Sequence, residues 1–295
     1  MRRVYLFVLI FGLGALSCLN PTHDNAYDPE NPNKARLFGK VWFTNIGTIP
    51  GANVALLFEG EVKEETQTGS DGLYEFRDID PSIYLVSAYT GYFIPETVPV
   101  PLPADTENLT DIYLDEILVD FERDPLGTPE PWLFRILSGD WSIRNDPAQG
   151  HVYHGIAPSP EPSSAMFDMV LKDFYYETMV RVDTSSSSSF AAGIYFRYHD
   201  DYNHYGLIFY VDHIKLFKIV NNNWDLIKED WRPFPPGAWI TLGVAVKDDH
   251  IQVFLNHAPL FNEFDSAFSD GHVGLFVEHA AAASFDDVYI DVSGE

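Results

Sequence analysis

The stretch "DFYYETMVRVD", residues 173–183, alternates along its length: Phe174, Tyr176, Thr178, Val180 and Val182 fall on one side, Tyr175, Glu177, Met179 and Arg181 on the other. A period of two sends successive side chains to opposite faces of a strand, whereas a helix would need apolar residues at three- and four-residue spacing. The same pattern returns in "FAAGIYFRYH", "HYGLIFYVD", "HIKLFKIV", "WITLGVAVKDD", "HIQVFLNH", "GHVGLFVE" and "ASFDDVYIDV". Short polar links such as Asn221-Asn222-Asn223 and Asp248-Asp249 suit hairpin turns. No helical stripe of comparable length interrupts them. Many short strands with tight connections must pack as a sandwich or jelly roll, and the supply of 22 Phe, 16 Tyr and 6 Trp favours strands. The sequence therefore predicts an all-β chain.

A shorter region with the same grammar precedes it. Over residues 36–116, Leu37, Gly39, Val41 and Phe43 share one face of a strand, as do Ala52, Val54 and Leu56 of the next. Pro50-Gly51, Ser70-Asp71-Gly72 and Asp80-Pro81-Ser82 mark turns. Gly39-Lys40-Val41, Ile49 to Val54, and Thr68 followed by Asp71-Gly72-Leu73-Tyr74-Glu75-Phe76 resemble the carboxypeptidase regulatory-like family, with Tyr84 and Gly91-Tyr92 in the expected places. Pro81-Ser82-Ile83-Tyr84 departs from it, since relatives usually carry Gly two residues before the Tyr. The resemblance implies a small transthyretin-like β sandwich acting as a spacer or stalk.

Residues 117–295 resemble the concanavalin A-like (laminin G-like) jelly roll. The residues that carry this are Asp120-Phe121-Glu122, Gly139-Asp140-Trp141-Ser142-Ile143, Ala192 to Tyr198, Asp201 to Tyr205, Gly237-Ala238-Trp239, Val253 to Asn256, Asp270 to Leu275 and Phe285 to Val288. Asn256-His257 departs from the Asn-Gly common in relatives. The resemblance implies a lectin-like sugar binder, a glycoside hydrolase or a plain adhesion module. Laminarinase-type relatives carry E-x-D-x-x-E on one strand, which sets an acid/base and a nucleophile about 5 Å apart. That string is missing here, and Glu229 and Asp230 of "KEDWR" are adjacent and so point to opposite faces. An enzyme is disfavoured but stays open, because carboxylates on separate strands could converge.

Two sets of candidate site residues follow. If Ile194 and Phe196 are core, Tyr195 and Arg197 face the open sheet, near Tyr205 and Tyr210, and offer flat rings and donors to a carbohydrate ligand. The parity of the neighbouring strand leaves Tyr205 and Tyr210 unable both to face that way, and structural packing of these tyrosines is the alternative. Asp120 and Glu122 near the first strand and Asp286 and Asp287 near the last are the expected calcium ligands, by analogy with related jelly rolls and because hard oxygens suit that ion. His199 and His204 flank a turn at Asp200-Asp201 and read as exposed loop residues. No zinc spacing, serine elbow or phosphate loop occurs.

The amino terminus speaks to location. Arg2 and Arg3 precede thirteen uncharged residues, Val4 to Leu16, too few to span a bilayer comfortably. Ala15-Leu16-Ser17-Cys18 resembles the lipobox of bacterial lipoproteins, although Leu is commoner where Ala15 stands. The resemblance implies a signal peptide over 1–17, cleavage before Cys18 and acylation of that residue into a lipid bilayer. Leu19 in place of the inner-membrane retention Asp favours the outer membrane of a bacterial cell envelope. An ordinary secretory signal or an uncleaved anchor is the alternative. Residues 18–35, rich in Asn, Asp and Pro, read as a disordered tether. Cys18 is the only cysteine, so no intrachain disulfide is possible. A net charge of -26 argues against a nucleic-acid partner, which needs clustered Lys and Arg.

Overall fold

A computed structural model describes residues 23–158, 161–184, 189–279 and 281–294. Cys18 and the signal segment 1–17 lie outside the described residues. Among the described residues every regular element is a strand. Residues 23–34 form turns fixed by their own side chains, with the Tyr27 and Glu30 amides donating to Asn25 and Asp28. The Ala104 amide donates to Ala26 O, 2.6 Å away, so this part of the expected tether is fastened to the first sandwich.

That sandwich holds nine strands. They are β1 (Ala35–Phe43), β2 (Gly47–Thr48), β3 (Asn53–Phe58), β4 (Glu61–Gln67) and β5 (Leu73–Ile79). The others are β6 (Ser82–Tyr89), β7 (Glu96–Leu102), β8 (Glu107–Leu109) and β9 (Ile112–Tyr113). One sheet runs β2-β1-β5, with β8 and β9 pairing parallel to β1; the other runs β4-β3-β6-β7. Alternation along β1 buries Leu37, Val41 and Phe43 in the core shared with Val54, Leu56 and Val86. Gly39 is required on that strand, since a Cβ there would stand 1.7 Å from Thr110 O.

The second sandwich starts with β10 (Glu116–Val119), β11 (Phe134–Ser138), β12 (Asp140–Asp146), β13 (Gly150–Ile156) and β14 (Ser163–Phe167). Next come β15 (Phe174–Val182), β16 (Ala191–Asp200), β17 (Asn203–Tyr210), β18 (His213–Val220) and β19 (Asn223–Trp231). It closes with β20 (Ile240–Lys247), β21 (His250–Leu255), β22 (Ala258–Phe264), β23 (His272–Glu278) and β24 (Ala282–Asp291). An eight-stranded sheet runs β12-β13-β24-β15-β20-β21-β22, with β10 also on β24. A seven-stranded sheet runs β11-β14-β23-β16-β17-β18-β19. The last two strands thus return to the middle of opposite sheets, and the fold is a jelly-roll β sandwich. Its interior joins Val180, Val244 and Ile290 to Ile194, Leu207, Leu216 and Leu275.

The two sandwiches meet through backbone and rings. Phe93 bridges Ile117, the Leu118 amide donates to Tyr92 O, and Trp132 packs at 5.4 and 5.9 Å from the Tyr92 and Phe93 rings. Their apolar interiors form one continuous cluster. A sheet in a sandwich needs to bury only one face, yet the seven-stranded sheet carries a second apolar cluster on its other face. Met166, Tyr195, Tyr198, Ile208, Phe217 and Phe276 make it up with Ala191.

Candidate functional site

Strand register builds this second cluster. Tyr195 lies between Gly206 and Gly274 of the flanking strands, and Gly206 in turn faces Phe217. Without a Cβ at Gly206, the Phe217 ring drops onto the backbone; an added Cβ would come within 2.4 Å of it. Tyr195 stacks on Phe276 at 4.1 Å with an interplanar angle of 10°. His204 sits against Tyr195, Tyr198 and Phe217, at 4.6, 5.3 and 6.1 Å, and Trp224 lies 5.9 Å from Phe217. Above this floor is a cavity of about 480 Å³, walled by Tyr202, Tyr210 and Trp224 and rimmed by Glu161, Asp201 and Glu278.

His204 is the polar feature of the floor. Its Nδ1 lies 3.0 Å from Asp200 O. A carbonyl only accepts, so Nδ1 carries the proton and Nε2 is left as a bare acceptor. That Nε2 is buried and has no hydrogen-bond partner. Burial holds the ring pKa below its ordinary value, which keeps it neutral. A buried acceptor left unsatisfied costs about 1–3 kcal/mol unless water or a ligand reaches it. Burial also raises the Glu278 carboxyl, favouring its protonated form, and pushes the Tyr210 hydroxyl up to about 12. Asp201 accepts a 2.6 Å bond from the Tyr198 hydroxyl.

Of the residues singled out in the sequence, Tyr195 and Tyr210 line this cavity together. Arg197 and Tyr205 do not: the expectation that Arg197 faces the open sheet is corrected, and of the two tyrosines that parity set against each other Tyr205 is the one turned inward. A bulge breaks the alternation of β16: register shifts after Tyr195 and Phe196, and Arg197 adopts φ 44°. The Arg197 side chain is fully buried and donates to Phe268 O at 2.8 Å and Lys172 O at 3.0 Å, tying two loops together. Tyr205 pairs with Phe196 on the inner face, stacked at 5.2 Å, and its hydroxyl donates to Asp265 Oδ1 at 2.6 Å. His204, expected in an exposed loop, is the second residue of β17 and is buried. Phe217, Trp224, Phe276 and Glu278 carry no chemical motif. Pairing Ile219 with Trp224 across the Asn221-Asn222 turn was the one available signal for the tryptophan.

The expected calcium ligands approach one another without forming a ligand set. Asp286 is buried, and its carboxyl is pushed up to about 7 by that burial and then by Asp287, Glu122 and Asp120. Burial and Asp120 also raise Asp287. Three of the four acids, however, spend an oxygen on backbone. Asp120 accepts from the Glu122 amide, Glu122 from the His151 amide and Asp286 from the Asp287 amide. Among the described residues no three His, Cys, Asp or Glu side chains are grouped to hold a metal. Calcium takes six to eight oxygens at 2.3–2.6 Å; the donor chemistry suits it, and the arrangement does not.

No family model matches the sequence, and no curated protein matches it. Solved structures do. A carbohydrate-binding module of Bacillus subtilis, CBM66, is 24% identical with a TM-score of 0.48, over 54% of this chain and 96% of that one. A Bacillus subtilis protein described as having a galectin-like fold is 10% identical with a TM-score of 0.43, over 54% and 88%. The GH43 BlXynB protein of Bacillus licheniformis is 14% identical with a TM-score of 0.47, over 71% of this chain and 50% of that one. By its own topology and surface, the chain is an all-β protein whose jelly roll bears an aromatic pocket on its open face.

Proposed function

We propose that the chain binds carbohydrate in the cavity over the seven-stranded sheet. The observation that carries this is the buried, partnerless Nε2 of His204 in a cavity walled by aromatic rings. Sugars present flat C–H faces and hydroxyl edges; rings cover the first, and a neutral acceptor accepts a hydrogen bond from the second. Glycan-array binding by wild type and Trp224→Ala tests it. Trp224 is 50% exposed, so its loss leaves the fold intact. The variant is expected to bind about tenfold more weakly, the equivalent of ~1.4 kcal/mol. Equal binding by both proteins would overturn the reading.

A glycoside hydrolase is the second reading, favoured by one observation. Burial raises the Glu278 carboxyl, the direction a general acid requires, and Glu278 shares the cavity rim with Asp201 and Glu161. Release of new reducing ends from a bound glycan would decide for it.

The domain over residues 117–295 is presented, on this proposal, by a transthyretin-like stalk over 36–116. Cleavage after Ser17 and acylation of Cys18 anchor it in a bacterial envelope, at the outer membrane. The support is the lipobox-like Ala15-Leu16-Ser17-Cys18 behind a short apolar run. Mass spectrometry of the mature amino terminus is expected to show a diacyl- or triacyl-modified Cys18, and an unmodified thiol would remove the anchor.

A further inference from the structure

We infer that the cavity is one end of a longer cleft, and that its ligand is a neutral glycan chain lying along edge strand β19 from Trp224 to Trp231. The inference rests on the carbohydrate reading above and adds the ligand's length and charge. Trp224 and Trp231 are seven residues apart, an odd number, so simple alternation would set them on opposite faces. Register shows otherwise. Facing partners on β18 are Ile219 for Trp224, Phe217 for Leu226, Lys215 for Glu229 and His213 for Trp231. Those β18 residues are all two apart on an unbroken strand, and a bulge in β19 beside Leu216 and Phe217 absorbs one residue. Both tryptophans therefore share the open face, roughly 20 Å apart along the strand at ~3.3 Å per residue.

The far end repeats the chemistry of the near one. Trp231 is 65% exposed and lies 4.7 Å from the His213 ring, which stacks on Tyr210 at 4.4 Å and 14°. Tyr210 lines the cavity, so this row of rings runs continuously into it. His213 Nε2 is a second buried ring nitrogen with no partner, its Nδ1 being 2.6 Å from Asp212 Oδ1. Between the two stations, Lys215 Nζ stands 5.3 Å from the Tyr210 ring centre and 5.9 Å from that of Trp224. A scattered exposed aromatic needs no explanation; one stacked into a row that ends in a cavity marks a ligand path. Charge sets the class. Glu161 and Asp201 rim the cavity, Glu229 on the path stands opposite Lys215 and offsets its charge, and the whole chain carries -26. Carboxylates accept from sugar hydroxyls but repel uronates and sulfated chains.

The test is an array of neutral homo-oligosaccharides, from disaccharide to hexasaccharide, beside matched oligouronates. It is probed with wild type, Trp224→Ala and Trp231→Ala, each checked for an unchanged melting midpoint. Wild-type affinity is expected to climb with length and to favour the neutral series. Trp231→Ala is expected to lower hexasaccharide binding about tenfold and leave the disaccharide unaffected. Trp224→Ala weakens both. A hexasaccharide bound no more tightly than a disaccharide, an indifferent Trp231→Ala, or a preference for uronates overturns the inference while the pocket reading stands. Silence from folded wild type across the whole array overturns both.

Discussion

At the scale of single residues, Asp286 is a carboxylate placed where charge is unwelcome. Its folded pKa of about 7 stands above the ordinary 3.8. The folded state therefore keeps a proton that the unfolded state releases near pH 4. Stability from this group is fully present below pH 4, declines as pH rises, and is lost above pH 7. Asp286→Asn removes the titration without changing shape. The variant is expected to melt higher than wild type at pH 8, by ~2 kcal/mol after allowance for solvent screening, and to converge with it at pH 4. Thermal melts at the two pH values check this; an equal gap at both would show that charge is not the cause. The sequence disclosed that four acids stand near the first and last strands, but not that a backbone amide takes one oxygen of Asp120, of Glu122 and of Asp286.

At the scale of elements, two bulges decide what faces the ligand. Alternation in "IYFRY" sets Arg197 beside Tyr195, and "NWDLIKEDW" read by parity separates its two tryptophans; an extra residue in each strand reverses both statements. A bulge leaves no mark in an apolar pattern, which is why Arg197 was misplaced, while parity alone left Tyr205 and Tyr210 as alternatives. Arg197 consequently acts as a clamp between loops. Arg197→Ala would orphan two carbonyls and empty a fully buried site, and is expected to cost about 3 kcal/mol in denaturant unfolding. Glycan affinity per folded molecule should stay unchanged; an affinity loss without destabilisation would return Arg197 to the site. The segment just past the end of β10 and the middle of β24 carry the acid cluster. Because those side chains form no ligand set, chelator is expected to leave the melting midpoint where it is. A midpoint lowered by chelator would mean that calcium reorganises the cluster.

For the whole molecule, period-two patterning carried most of the architecture. The strands over Phe174–Val182 and Ala35–Phe43 and the hairpins at Asn221-Asn222 and Asp248-Asp249 all follow from residues visible in the chain. What the pattern could not give is the placing of β23 and β24 in the middle of opposite sheets, since that depends on contacts far apart in sequence. That placing brings Phe276 and Glu278 next to Tyr195, and so assembles a site with no local motif. Tyr195, His204 and Trp224 come from three strands, and no spacing rule links them. The central claim is that this assembly holds a sugar, and glycan binding by folded wild type against folded Trp224→Ala tests it most directly. Saturable wild-type binding that weakens about tenfold in the variant is the result expected. Binding that survives Trp224→Ala intact, or none by wild type across a broad array, would contradict it.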